Sequence, residues 1–275
     1  MKDEIKIFII ESLSDCDKKT GTNLYNELIQ YQLPITSKLY DDIYNENDWN
    51  AAINNIIDNV CVGDLVFVHL EIHGNKGTGI TLKNDSVISF QKLCSDFRQI
   101  NKKIGCNLYI TLAVCHGLFL LFGSMPLEQV PFCGVIGSKE EIKVWDIEIR
   151  FYEFYQSLID DNGIDYSFEL LKEANPDIPN SYEYVKLDEI FHNAWRNFMR
   201  ESSGEAWQKQ NAIRVSKDSA LNRRERRKFG REFKRKRIKY AKSLFREKVK
   251  EFYMLEDFPQ NRDKFYIPQS PTVLL

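Results

Sequence analysis

Short, nearly continuous apolar runs alternate with stretches of helical periodicity from the start of the chain to about Arg200. A continuous apolar run between polar turns is typical of a strand that is buried on both faces, whereas an apolar residue at every third or fourth position is typical of a helix that packs by one face. Strands that alternate with helices indicate a largely parallel sheet with helices on both faces. The pattern therefore predicts an α/β fold.

The local patterns also set the bounds of each predicted element. The predicted strands are residues 5–10, 37–43, 64–73, 107–115, 132–137 and 182–187. The predicted helices are residues 21–32, 45–60, 90–103, 118–122, 146–159, 166–174 and 188–200. The polar stretch 11–15 interrupts the first apolar run and is therefore predicted to be a loop.

Two of the predicted strands end on a reactive side chain. One run ends in His73 followed by Gly74, and the other ends in Cys115 followed by His116 and Gly117. A parallel crossover sets the carboxyl ends of both strands on the same edge of the sheet, which is where open α/β sheets place their chemistry. We therefore expect His73 and Cys115 to face each other across a cleft.

A cysteine and a histidine in this position predict a cysteine endopeptidase. Cys115 would attack the scissile carbonyl, and His73 would act as general acid toward the leaving amine. The backbone N–H groups of Gly74 and Cys115 would stabilise the oxyanion, because a glycine lets the backbone turn sharply and expose its amide. This chemistry needs a protein substrate and neither a cofactor nor a metal ion.

The remaining cysteines are expected to be structural. Cysteine in an apolar segment is more often a small core residue than a nucleophile. The spacing contains no CxxC pair, so it indicates neither a disulfide framework nor a cysteine zinc site. The predicted core thiols are Cys61, Cys94, Cys106 and Cys133.

A metal site is the alternative use of the first of these strand ends. His69, Glu71 and His73 share one face of a strand, because successive side chains alternate between faces, and such a set could hold zinc. The zinc-peptidase motif, however, places adjacent His and Glu on a helix, which this spacing does not match. His69 and Glu71 are expected to be buried hydrogen-bond partners instead.

Composition and charge place the chain among soluble globular proteins. It has 275 residues, of which 43% are hydrophobic, and it contains neither a signal-peptide pattern nor a run long enough to span a bilayer. A cytoplasmic location without a membrane partner is expected. The net charge of −2 conceals a strong asymmetry, since residues 212–250 carry 17 Lys and Arg against 4 Asp and Glu.

The basic segment predicts a helical extension to about residue 258 with an irregular tail, together residues 201–275, that follow a peptidase domain of residues 1–200. Apolar residues at nearly helical spacing, Phe229, Phe233, Tyr240 and Leu244, would let it dock on its own domain or on a protein partner. The alternative is a nucleic-acid-binding module acting through residues 214–250, with a peptidase site that is regulatory or inactive. No base-reading motif accompanies the segment.

The blocks that end in His73-Gly74 and in Cys115, together with 134–138, Trp145-Asp146 and the aromatic stretch 151–158, resemble the caspase-like cysteine peptidases. The resemblance is greatest to the CHAT branch, which is related to separases and bacterial defence proteases. It implies a His73/Cys115 dyad and a role in antiphage defence or programmed cell death. It also implies a gasdermin-like pore-former as substrate and an activating protein partner outside this chain.

The resemblance also bears on the peptide bond that is cut. Caspases proper carry Gln-Ala before the cysteine where this chain has Ala113-Val114, so their preference for aspartate does not transfer. Family members that cleave after basic residues place a carboxylate in the loop after the strand that follows the cysteine. Asp146 is the predicted S1 residue, ahead of Glu140 and Glu141, because a buried carboxylate pairs with Arg or Lys. The alternative is that Asp146 caps the next helix.

Overall fold

The computed structural model describes residues 5–30, 37–123, 128–202 and 244–268. Internal contacts divide the chain into two compact units, of which the first is Met1–Ser124 with Val130–Leu187 and the second is Met125–Gln129 with Asp188–Leu275. The boundary at residue 200 between a peptidase domain and an extension stays a prediction. Within the described ranges, no helix is long and apolar enough to cross a membrane.

The first unit is built on a mostly parallel sheet with the strand order β2-β1-β3-β6-β7-β8. Its last strand, β8, runs antiparallel to β7. Two further short strands, β4 and β5, form an antiparallel extension from the end of β3. The strands are β1 Ile5–Ser12, β2 Ser37–Asp42, β3 Leu65–Asn75, β4 Gly79–Thr81, β5 Val87–Ser89, β6 Leu108–Ala113, β7 Gly134–Ser138 and β8 Tyr182–Lys186.

Helices follow the strands in the predicted order and confirm the α/β architecture. They are α1 Thr20–Gln30, α2 Glu46–Asn59, α3 Phe90–Ile104, α4 Leu120–Gly123, α5 Val144–Ile159 and α6 Ile164–Glu173, with a 3-10 turn at Gly117–Phe119 before α4. Local capping explains several boundaries. Asn45 and Asp48 form a reciprocal capping box at the start of α2, and the side chain of Ser89 caps α3.

The two faces of the sheet carry different helices. Phe67, Phe151 and Phe154 belong to a core cluster in which α1, α5 and α6 pack on one face. Lys6 points to the other face, because it alternates with Ile7 of that cluster, and its ammonium donates to the backbone of α2 at Asn59. The sheet is therefore covered on both faces, as the sequence predicts.

One predicted boundary is wrong, and the reason lies in the burial of polar groups. Glu11 and Ser12 were expected in a loop, but they extend β1 and are buried. The Glu11 carboxylate accepts hydrogen bonds from the backbone of Gly21 and Thr22, which satisfies a charge that would otherwise be costly inside the protein. The β4–β5 extension was not predicted, because its strands are only three residues long.

The second unit contains α7 Leu187–Ser202, helical residues 244–252 and a short helix Asn261–Lys264. The aromatic rings of Phe191 and Trp195 on α7 pack against Phe245, with ring centroids 5.8 and 4.8 Å apart. The end of the predicted basic helix is thus packed on α7. The rest of that segment, with Phe229, Phe233 and Tyr240, lies outside the described residues, so its predicted docking and nucleic-acid binding stay predictions.

Candidate active site

The ends of β3 and β6 come together at the carboxyl edge of the sheet. Their parallel register runs from Val66 opposite Leu108 to Glu71 opposite Ala113, and His73 and Cys115 each come two residues after that last pair. The backbones are in close contact there, because a Cβ atom placed on Gly74 would lie 2.0 Å from the carbonyl oxygen of Cys115. Only glycine can occupy position 74 at this distance.

Cys115 lies half-buried at the turn that follows β6. The next residue, His116, has a positive φ of 57°, which turns the chain sharply away from the strand direction. The backbone N–H of Ile142 points at the thiol, with 3.5 Å between nitrogen and Sγ. The loop after β7 therefore supplies a hydrogen-bond donor to the Cys115 sulfur.

His116 holds the loop that supplies this donor. Its backbone N–H donates to the Glu140 carbonyl at 3.0 Å, and its ring Nδ1 is 2.7 Å from the Lys139 carbonyl oxygen. A carbonyl can only accept, so Nδ1 carries the proton. Sequence reasoning gave His116 no role of its own, because its partners are backbone atoms that no side-chain pattern reveals.

The His73 side chain is open to solvent, and its partner is an aspartate. His73 Nε2 lies 2.9 Å from Oδ2 of Asp17, in the loop between β1 and α1. The relative exposure of the two side chains is 60% and 34%. The hydrogen bond with His73, followed by one from the Ser14 hydroxyl, lowers the pKa of Asp17.

Sequence reasoning missed Asp17, although a signal for it exists. Asp17 follows the carboxyl end of β1, and β1 is paired in parallel with β3. The rule that placed His73 and Cys115 on one edge of the sheet therefore also places the loop after β1 there. The rule finds Asp17 once it is extended from strands that end on His or Cys to every loop at this edge.

The proposed oxyanion donors are the backbone N–H groups of Gly74 and Cys115. Gly74 lies within the β3–β4 ladder opposite Ile80, and Cys115 begins the turn after β6. Their backbones touch at the contact described above. The assignment of their N–H groups to an oxyanion hole stays a prediction.

Asp146 is buried beside a buried arginine. Its Oδ1 accepts from Arg150 Nε at 2.7 Å and from Asn175 Nδ2 at 2.9 Å. The helix begins two residues earlier with Lys143 as its cap, so the capping role considered for Asp146 is wrong. Its assignment to the S1 pocket stays a prediction, and the Asn175 contact gives it a competing role in holding α5 to the segment after α6.

Beneath the candidate site lies a buried polar chain. His69 Nε2 is 2.9 Å from Glu71 Oε1, and its Nδ1 is 2.8 Å from Thr111 Oγ1, which in turn is 2.6 Å from Tyr155 OH. The other Glu71 oxygen accepts from Thr20 Oγ1 at 2.7 Å. His69 and Glu71 are thus buried hydrogen-bond partners, as predicted.

This arrangement does not favour the metal alternative. Glu71 and Thr111 occupy both ring nitrogens of His69, while His73 pairs with Asp17 outside the core. Over the described ranges, no group of three or more His, Cys, Asp or Glu side chains is placed to hold a metal ion.

The other predicted thiols are core residues with one exception. Cys94, Cys106 and Cys133 are buried. Cys61 is exposed, because it lies in the turn before β3, so its assignment to the core is wrong.

Comparison with known proteins identifies the fold. No protein-family model and no curated protein matches the chain. Among solved structures, it is similar to a secreted C11 cysteine protease from Bacteroides thetaiotaomicron, determined in complex with an irreversible peptide inhibitor. The similarity covers 72% of this chain and 70% of that chain, with 11% sequence identity and a TM-score of 0.51. It confirms the predicted caspase-like α/β fold, while the CHAT branch stays a prediction.

Proposed function

We propose that this protein is a cysteine endopeptidase with Cys115 as its nucleophile and His73 as its general acid and base. The observation that carries the proposal is the contact between the strand ends, where Gly74 packs directly on the Cys115 backbone. The similarity in fold to a cysteine protease supports it independently. An exposed histidine and a half-buried cysteine at one edge of the sheet are the residue types that nucleophilic catalysis by a thiol requires.

The contacts support a proposed role for each group. With Nε2 of His73 bonded to Asp17, Nδ1 is the nitrogen left to take the Cys115 proton. Once its proton has passed to His73, the Cys115 sulfur, which accepts from the Ile142 N–H, attacks the peptide carbonyl, and the imidazolium returns the proton to the departing amine. A water molecule, deprotonated by the neutral imidazole, then hydrolyses the thioester. The N–H groups of Gly74 and Cys115 would stabilise the oxyanion in both steps.

The biological setting of this proposal rests on the resemblance alone. We propose that the substrate is a protein and that the peptidase acts in bacterial antiphage defence or programmed cell death, for example by cleaving a gasdermin-like pore-former. An activating partner would be a separate protein. The cytoplasmic location is part of the same proposal.

The test is cleavage of a peptide library by the wild type and by single variants. Cys115→Ala and His73→Ala should each abolish cleavage, because nucleophile and acid act as a unit. Cys61→Ala is the matched control, since it removes an exposed thiol from the opposite end of β3. Full cleavage by Cys115→Ala, with the control unaffected, would contradict the proposal.

A further inference from the structure

We propose that Asp17 is a positioning residue of the catalytic site, and that it holds His73 in the tautomer whose Nδ1 faces the reaction. The inference rests on the proposed function and extends it from a dyad to a triad. It also gives a purpose to two glutamates, Glu11 and Glu71, that the catalytic steps do not use.

The first step is the hydrogen bond between the two side chains. An ionised carboxylate can only accept, so the 2.9 Å contact between Asp17 Oδ2 and His73 Nε2 requires the proton to be on Nε2. In the neutral ring the lone pair is then on Nδ1, which is the nitrogen free to take a proton from Cys115. Without the carboxylate, both tautomers would be populated and the ring could rotate.

The second step is the fixed position of Asp17 itself. The Ser14 backbone N–H and hydroxyl both donate to the same Asp17 oxygen, at 3.0 and 2.7 Å. The Asp17 backbone N–H donates in return to the Ser14 carbonyl at 3.1 Å. These three bonds close a tight turn that presents the carboxylate to His73.

The third step is the anchoring of both ends of this loop by buried carboxylates. Before the loop, Glu11 stands at the end of β1 and accepts from the backbone of Gly21 and Thr22 at 2.8 and 3.1 Å. After the loop, Thr20 donates to Glu71 of β3 at 2.7 Å. The amino end of α1 is therefore held against the sheet, and the loop between 13 and 19 has little freedom.

Gly21 lies where the start of α1 meets Glu11 and Glu71, a contact that we call the joint, and a larger residue would not fit there. A Cβ atom on it would lie 2.9 Å from Glu11 Oε1 and also 2.9 Å from Glu71 Cγ. Burial of two carboxyl groups carries a desolvation penalty that destabilises the fold, and apolar residues in these strand positions would avoid it. Their retention is explained if the joint fixes Asp17, and through it the His73 ring, at the edge of the sheet.

The direct test is the tautomer of His73 in full-length protein labelled with ¹⁵N-histidine. The chain has only 4 histidines, so long-range ¹H–¹⁵N spectra are tractable, and a His73→Ala variant identifies the signal. We expect His73 to be protonated at Nε2 in the wild type and to become a mixture of tautomers in Asp17→Ala. Asp15→Ala removes an exposed carboxylate from the same loop and should leave the spectrum unchanged.

Kinetics supply the second readout. Asp17→Ala should lower kcat by about ten- to a hundredfold with little change in KM. This is less than the roughly 10⁴-fold loss when the buried aspartate of a serine-protease triad is replaced, because solvent screens an exposed pair. Asp17→Asn should lower kcat as well, since its amide can donate to Nε2 and favour the wrong tautomer. Asp15→Ala should keep the wild-type kcat.

The outcomes separate this inference from the proposed function. If Cys115→Ala abolishes cleavage while Asp17→Ala changes neither the tautomer nor kcat, the peptidase stands and the role of Asp17 is overturned. If Cys115→Ala cleaves normally while Asp17→Ala alters the tautomer, the contact is real and the proposed function fails. An unaltered fold of Asp17→Ala is verified by its amide spectrum.

Discussion

Strand β3 carries two histidines, and each is hydrogen-bonded to a carboxylate at the same distance. One of the two pairs is buried and the other is exposed. His69 Nε2 and Glu71 Oε1 are 2.9 Å apart with side-chain exposures of 0% and 2%, whereas His73 Nε2 and Asp17 Oδ2 are 2.9 Å apart with exposures of 60% and 34%. The first pair lies under α1 and α5, and the second lies at the edge of the sheet. Only the second can reach a substrate.

The pKa values of the two carboxyl groups shift in opposite directions, for different reasons. Removal from water raises the pKa of Glu71, although its hydrogen bond with His69 acts in the other direction. The pKa of Asp17 is lowered, first by the hydrogen bond with His73. One pair therefore serves as a buried structural joint, and the other, whose histidine lies four positions further along β3, serves as candidate chemistry.

We expect the largest effect on the free energy of unfolding, when the carboxylate of each pair is removed. Glu71→Ala should lower the free energy of unfolding by about 3–5 kcal/mol, because it leaves buried partners without their acceptor. Asp17→Ala should lower it by only about 0.2–1 kcal/mol, because its pair is exposed. Urea denaturation of both variants measures the difference, and equal losses would show that burial does not separate the pairs as described.

Asp146 is a third carboxylate with a basic partner, and that partner, Arg150, is fully buried. Asp146→Asn should lower the free energy of unfolding by about 1.5–3 kcal/mol, because a buried charged hydrogen bond is weakened. Cleavage after Arg and Lys in a peptide library tests the S1 role at the same time. A selective loss of basic cleavage would assign Asp146 to the S1 pocket, and an unchanged profile with lowered stability would assign it to structure.

The smallest expected effect is a pH dependence at the buried pair. Glu71 binds its proton more tightly in the folded state, so the stability it contributes is complete below about pH 4.5 and is lost as the pH rises through its raised pKa. Glu71→Gln resembles the protonated carboxyl group and does not titrate. The melting temperature of Glu71→Gln minus that of the wild type should therefore increase as the pH rises.

Thermal melts of the two proteins between about pH 5 and 8 measure this gain. Glu11 and His69, which also face Glu71, are present in both proteins, so the contributions that they share cancel from the difference. A gap that stays constant or narrows with rising pH would contradict the direction given for Glu71.

The sequence could predict the elements and the two reactive strand ends because each depends on a local pattern. His73 and Cys115 end apolar runs, and the parallel topology carries both to one edge. Asp17 lies 56 residues from His73 in the loop after β1, so the same rule finds it only when it is extended from apolar run-ends to that loop. Glu11 was misplaced because a polar residue usually ends a strand, and only its partners on α1 explain its burial.

Alkylation by iodoacetamide is the most direct test of the claim that Cys115 and His73 form a reactive pair. Exposure alone would make Cys16 and Cys61 the fastest thiols, because Cys115 is half-buried. Transfer of the thiol proton to His73 would reverse this order, so we expect Cys115 to react at least about tenfold faster than Cys61. Mass spectrometry of digested protein should show this advantage in the wild type and its loss in His73→Ala. A Cys115 that reacts more slowly than Cys61, at a rate unchanged by His73→Ala, would contradict the claim.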